Sequence, residues 1–281
     1  MGISMAGHAR RRTAALKQME AGSAMLLFGA KEALRNGDAE YGFRQDSDLW
    51  YLTGWPHPEV ALLLIPGAEN PSVLFVQPKD PAKEIWTGIR PGIAGATADF
   101  GLDEALEWGA LAETLTERLQ GVHTLYYSVG QDSERDALVL GAIQSAKRAV
   151  RFNFKCLPDQ FIQPGRILHE MRLFKGEEEE SLLRNAAAIT CEAHVEAMKM
   201  AAPGVNESEL HALIDYTFRK RGGIGAGYTS IVGSGENACI LHYIENNSAL
   251  KAGDLVLIDA GCEFENYTAD VTRTFPVSGR F

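Results

Sequence analysis

Residues 255–275, LVLIDAGCEFENYTADVTRTF, contain two short runs rich in β-branched and aromatic residues, 255–258 and 271–275, linked through the polar stretch 263–266. The pattern predicts two strands joined as an antiparallel ribbon. Asp259 closes the first run and Asp270 opens the second. With the turn centred between Phe264 and Glu265, the two aspartates stand directly opposite each other, their Cβ atoms about 5 Å apart on one face. Two carboxylates at that separation repel by about 3 kcal/mol at an effective dielectric near 20, and burial adds a desolvation cost to each. A chain that keeps them must share a proton, recruit a cationic side chain, hold a metal ion, or leave the ribbon edge in water. A shared proton calls for acid conditions and D-T-G loops that the sequence does not supply. Arg273 faces away from Asp270 by strand parity. A divalent metal, or two metals bridged by carboxylate oxygens, and a solvated edge both remain open.

The surrounding pattern limits what else the chain does. Its formal charge of −10 over 281 residues argues against nucleic-acid binding, which needs a basic footprint. The triplet Arg10-Arg11-Arg12 is followed by a stretch broken by Lys17, Gln18 and Glu20, so it reads as a solvated helix face and not as a twin-arginine signal. Gly2 is not in a myristoylation context, because Ala6 stands where Ser or Thr is required. No run approaches the 18 apolar residues of a membrane span. Cys156, Cys191, Cys239 and Cys262 are widely spaced without a C-x-x-C, which predicts reduced, mostly buried thiols in a cytoplasmic protein.

Along the chain, a basic helix near 9–20 precedes a strand AMLLFGA, and three more apolar runs punctuated by Gly and Pro follow: LWYLTGW, VALLLIP and SVLFVQP. A helical stretch near 102–120, a strand TLYYSVG and a helix near 132–149 complete an α/β domain, placed at 1–170. A second domain is placed at 171–281. After a connector, Leu182, Ala186, Ile189, Ala193 and Ala197 line one face of a long helix, whose start, residues 177–180, reads as a solvated acidic turn. Asn206 caps a second helix with Glu209 three residues on, and Gly222-Gly223 end it. ACILHYIEN then alternates like a strand and puts His242 on the face of Ile240 and Ile244. There His242 reads either as a satisfied core histidine or as a group beside a metal. Gly233-x-Gly235-x-x-Ala238 matches a dinucleotide fingerprint only formally, since a strand follows where a helix is needed. No P-loop, nucleophile elbow or H-E-x-x-H is present; after His169-Glu170, Leu173 stands where the second histidine belongs.

Taken together, GSGENACILHYIEN, GDLVLIDAGCE and YTADVTRTFPVSGRF, with DAEYGFRQDSDLWYLTGW, EIWTGIR and HEMRLFK in the N-terminal part, resemble the aminopeptidase P family of bacterial Xaa-Pro aminopeptidases. The resemblance runs from about residue 10 to 281. It implies an N-terminal α/β domain and a creatinase/aminopeptidase-like α+β pita-bread catalytic domain. It also implies two divalent metal ions, with manganese expected, and peptides carrying proline in second position as substrates. By motif, Asp259 would be a bidentate ligand of one metal and Asp270 would bridge both. His242 would contact substrate near the proline pocket, and Tyr228 in GYTSIVG resembles a substrate-side tyrosine. Trp86 and Asp38 resemble N-terminal-domain residues that reach a neighbouring subunit's active site, so a homo-oligomer, dimer or tetramer, is implied. For Trp86 the alternative is a half-buried packing residue. The family's remaining ligands, a histidine and two glutamates, and its proton-shuttling histidine lie beyond the TRTFPVSGRF motif. The pita-bread domain is therefore expected to be C-terminally truncated and incomplete, and this chain alone inactive. Prolidases, methionine aminopeptidases and a non-enzymatic pita-bread binding protein are the rival readings.

Overall fold

The computed structural model describes residues 2–152 and 154–281. Contacts divide the chain into two compact units that meet in sequence at Phe174 and Lys175. The N-terminal unit comprises α1 (Met5–Gln18), β1 (Ser23–Phe28), the exposed hairpin β2 (Leu34–Asn36) and β3 (Ala39–Glu40), and α2 (Ser47–Thr53). Next come β4 (Ala61–Leu64), β5 (Ser72–Val76), α3 (Pro81–Thr87), α4 (Gly92–Ala98), β6 (Glu104–Glu107) and α5 (Leu111–Arg118). β7 (Thr124–Tyr126), α6 (Ser133–Ala149), β8 (Gln160–Ile162) and α7 (Gly165–Leu173) complete it. Six of the strands form one mixed sheet in the order β6-β5-β4-β1-β7-β8. The strands β1, β4 and β5 are buried along their whole length, as continuous apolar runs require when both sheet faces are covered. Alternate residues feed two cores. Met25, Leu27, Leu62 and Leu74 pack on one face, and Leu26, Phe28, Leu63 and Phe75 on the other.

Four local expectations fail here. The arginine triplet is not wholly solvated, because Arg12 is buried and donates to the Leu52 carbonyl at 2.8 Å. LWYLTGW is helix α2, because the Asp46 side chain accepts hydrogen bonds from the Asp48 and Leu49 amides and Gly54 closes the helix at φ 68°. Asp46→Ala is expected to destabilise this unit by about 1 kcal/mol, measurable as an earlier denaturant midpoint; an unchanged midpoint would count against the cap. The stretch near 102–120 opens with edge strand β6, paired in parallel with β5, before α5 begins. The residues read as a connector contain helix α7.

The C-terminal unit has α8 (Glu177–Met200) and α9 (Glu207–Lys220), then β9 (Gly225–Ala226), β10 (Ile231–Ser234), β11 (Leu255–Ala260), β12 (Cys262–Phe264), β13 (Tyr267–Thr268) and β14 (Val271–Pro276). The strands make two three-stranded sheets, β10-β11-β14 and β13-β12-β9. The stripe from Leu182 to Ala197 is buried as the 3.6-residue period demands. Ile189, Ala193 and Ala197 join Leu210, Ile214 and Phe218 of α9 over Val232, Val256 and Ile258 of the sheet. The acidic start of α8 is not wholly solvated. Glu179 is buried, accepting from the Gly176 amide at 2.9 Å and from Tyr267 Oη at 2.8 Å. The cysteine expectation also changes: Cys156, Cys191 and Cys239 are exposed and Cys262 is buried. Burial, with Glu263 beside it, pushes the Cys262 thiol up to about 11, so it stays protonated and inert. Among the described residues, no helix is long and apolar enough to cross a membrane.

Candidate metal centre

Strands β11 and β14 do form the expected antiparallel ribbon, in a different register. Asp259 faces Thr272, and Ala260 faces Val271. Beyond Gly261 the chain leaves that ladder for β12, which pairs with β13 through Glu263 with Thr268 and Phe264 with Tyr267. The turn is therefore Glu265-Asn266, with φ of 50° and 63°, the left-handed pair of a type I′ hairpin. The expected centre between Phe264 and Glu265 lies one residue too early. Moving the centre by one residue moves the register by two, so the aspartates keep a common face but become diagonal neighbours.

Gly261 makes the convergence possible. A Cβ there would lie 1.7 Å from the Ala269 carbonyl oxygen and 3.0 Å from Tyr228 Cε1. The Gly227 amide donates to the Gly261 carbonyl at 2.9 Å, which brings the next residue, Tyr228, to the ribbon. Tyr228 Oη lies 2.6 Å from Asp259 Oδ1 and 3.2 Å from Asp270 Oδ1. A phenol has one hydrogen to donate, so two acceptor oxygens compete for it. Burial, then the hydrogen bond to Asp259 and the charges of both aspartates, pushes the Tyr228 hydroxyl far above its usual range. Asp259 is half-buried and Asp270 exposed. The three oxygens concentrate negative potential at one point, and carboxylate donors suit hard divalent cations. The arrangement fits part of a metal site. Among the described residues no group of three or more His, Cys, Asp or Glu could hold a metal ion.

The other expected site residues are placed differently. ACILHYIEN is not a strand: β10 ends at Ser234, a 3-10 turn spans Gly235–Cys239, and His242 follows in a turn, exposed and without a polar partner among the described residues. Neither a core histidine nor a strand residue, it sits on an irregular loop. The dinucleotide fingerprint still fails, because that 3-10 turn stands where an α-helix is needed. Trp86, on α3, is 87% exposed, which removes the half-buried alternative. Asp38 is exposed between β2 and β3.

One residue at the site escaped the sequence reading. His194 of α8 is buried, and burial is the main cause lowering its pKa, while the nearby backbone of Ala260 and Val271 acts to raise it. It approaches the backbone of Ala260 and Val271, beside the two aspartates. The available signal was spacing: Thr190 and His194 are four apart, on the helix face turned to the sheet. Thr190 Oγ1 accepts from the Cys262 amide at 2.9 Å.

Comparison with known proteins agrees on both units. Residues 8–127 match the family described as aminopeptidase P, N-terminal domain, and residues 181–281 match metallopeptidase family M24. The Xaa-Pro aminopeptidase of Escherichia coli (strain K12) is 43% identical over 281 residues, covering 99% of this chain and 64% of that protein. The structure of Pseudomonas aeruginosa aminopeptidase PepP has a TM-score of 0.94 at 41% identity, with 98% of this chain and 62% of that one covered. Zinc-substituted E. coli aminopeptidase P in complex with product gives 0.95 at 43% identity, with 100% and 64% covered. This chain thus spans a little under two thirds of the length of these relatives. Membership of a metallopeptidase family makes divalent metal ions the cofactor class. With an aminopeptidase P N-terminal domain followed by pita-bread strands that carry a converging aspartate pair, the chain belongs to the aminopeptidase P family of M24 metallopeptidases.

Proposed function

We propose that the protein carrying this chain is a metal-dependent aminopeptidase that releases the first residue from peptides with proline second. The convergence of Asp259 and Asp270 on one tyrosine hydroxyl carries this reading, because it leaves a negative site that a cation would relieve. Asp259 and Asp270 would hold the metal ions, with manganese the expected pair. A bound divalent metal supplies Lewis-acid polarisation of the scissile carbonyl and a water acidic enough to attack near neutral pH. Tyr228 orients the Asp259 carboxylate from the substrate side, and His242, exposed on its loop, contacts substrate. An exposed indole at Trp86, with Asp38, suits contact with a neighbouring subunit's site in a cytoplasmic homo-oligomer. Full activity from a species that sedimentation shows to be monomeric would end that part of the reading.

The test uses the full-length natural product. Release of the first residue is compared for tripeptides with proline or alanine second and for Xaa-Pro dipeptides, before and after chelation. The expected result is proline-dependent tripeptide cleavage that chelation removes and manganese restores best. Cleavage confined to dipeptides would make the protein a prolidase. Turnover indifferent to chelation would end the proposal.

A further inference from the structure

Glu207, the first residue of α9, is fully buried, and no Lys or Arg pairs with it among the described residues. Its charge is met by hydrogen-bond donors instead. Oε1 accepts from the Ser234 amide at 2.7 Å, Ser234 Oγ at 2.8 Å and Asn237 Nδ2 at 3.2 Å. Oε2 accepts from Tyr243 Oη at 2.8 Å and the Ser248 amide at 2.9 Å. Burial pushes the carboxyl up, but hydrogen bonds from Ser234, Ser248 and Asn237 outweigh it and hold the pKa below its usual value. The position at a helix N-terminus also favours the anion.

These five donors are spread along one loop. Ser234 ends β10, Asn237 sits in the 3-10 turn, Tyr243 adjoins His242, and Ser248 precedes the bridge from Ala249 back to Asn206. The Asn237 amide also reaches Tyr243 Oη and Ser248 Oγ, each at 3.0 Å. Residues 240–248 have no helix or strand of their own. Their conformation therefore depends on side-chain anchors, and one carboxylate supplies several of them. His242 is exposed while the adjacent Tyr243 is buried against that carboxylate.

We infer that Glu207 is the positioning residue for His242, acting through Tyr243 and the loop anchored at Ser234 and Ser248. The inference rests on the substrate contact proposed above for His242. Glu207→Gln keeps the size but turns an NH2 group toward the donors of one oxygen, so either the Ser234 or the Ser248 amide loses its acceptor. In the full-length product, E207Q is expected to lower kcat/KM for Xaa-Pro cleavage by about tenfold or more, chiefly through KM. The double variant E207Q/H242A should be no worse than H242A. Amide hydrogen exchange should rise across 235–248 while β10, β11 and β14 stay protected. Tyr243→Phe removes one hydroxyl only and should reproduce part of the KM rise. Additive losses in the double variant, an unchanged KM in Y243F, or unaltered exchange in the loop would each overturn the inference. Should the wild-type protein not cleave Xaa-Pro peptides at all, the function proposed above fails, and the exchange measurement still decides whether Glu207 holds the loop.

Discussion

Asp270→Asn in the full-length product is expected to lower metal-dependent Xaa-Pro cleavage by about a thousandfold while leaving the metal-free protein no less stable. Metal-ion catalysis is worth several kcal/mol, and each 1.36 kcal/mol off the barrier is about tenfold in rate. Loss of one of the two carboxylates that meet at Tyr228 therefore removes roughly three powers of ten. The stability effect has the opposite sign. Without metal, the aspartates repel across one phenol hydrogen, and Asp270 is exposed, so relief of that repulsion is screened to about 1 kcal/mol. Two measurements separate the effects. Manganese at a hundred times its dissociation constant should stabilise the wild type by about 2.7 kcal/mol, seen as a rise in Tm, and D270N should lose most of that rise. A variant that keeps both the manganese-induced rise and its turnover would remove Asp270 from the metal centre.

A methyl group at position 261 should do comparable damage without touching an ionisable residue. The added Cβ of Gly261→Ala would fall 1.7 Å from the Ala269 carbonyl oxygen. Backbone, unlike a flexible side-chain tip, cannot step aside locally, so the β12–β13 hairpin must move away from the end of β11. Overpacking typically costs 1–3 kcal/mol, and a clash with backbone belongs at the upper end, about 3 kcal/mol or more. The same displacement pulls Asp270, which follows Ala269, away from Asp259 and Tyr228. G261A is therefore expected to lose both several degrees of Tm and its manganese-induced stabilisation. A G261A protein with wild-type Tm and metal response would show that the ribbon closes without this contact.

Much of the architecture is legible because it is local or periodic. The α8 stripe from Leu182 to Ala197 and the Asn206–Glu209 capping box of α9 declare two helices. Unbroken apolar runs declare the central strands of the large sheet. Helix α2 has a local signal too, Asp46 and Gly54 at its ends, which the strand-like aromatic content of LWYLTGW masks. Edge strand β6 carries little signal of its own, because its conformation comes from pairing with β5.

At the candidate site the division is sharper. Sequence alone determined that Asp259 and Asp270 share a face, since side-chain direction in a ribbon depends only on parity and survives a register shift of two. It also determined the family, through motifs that span both units. Only the tertiary structure decided the register, because left-handed backbone at Glu265-Asn266 and the close approach at Gly261 set it. The tertiary structure also put His242 on an irregular loop, His194 beneath the ribbon and Glu207 among five donors. Those placements depend on contacts between residues 27 to 41 apart for Glu207 and farther still for His194. No window of local sequence records whether a polar group will be buried, because burial is a property of what the rest of the chain packs over it.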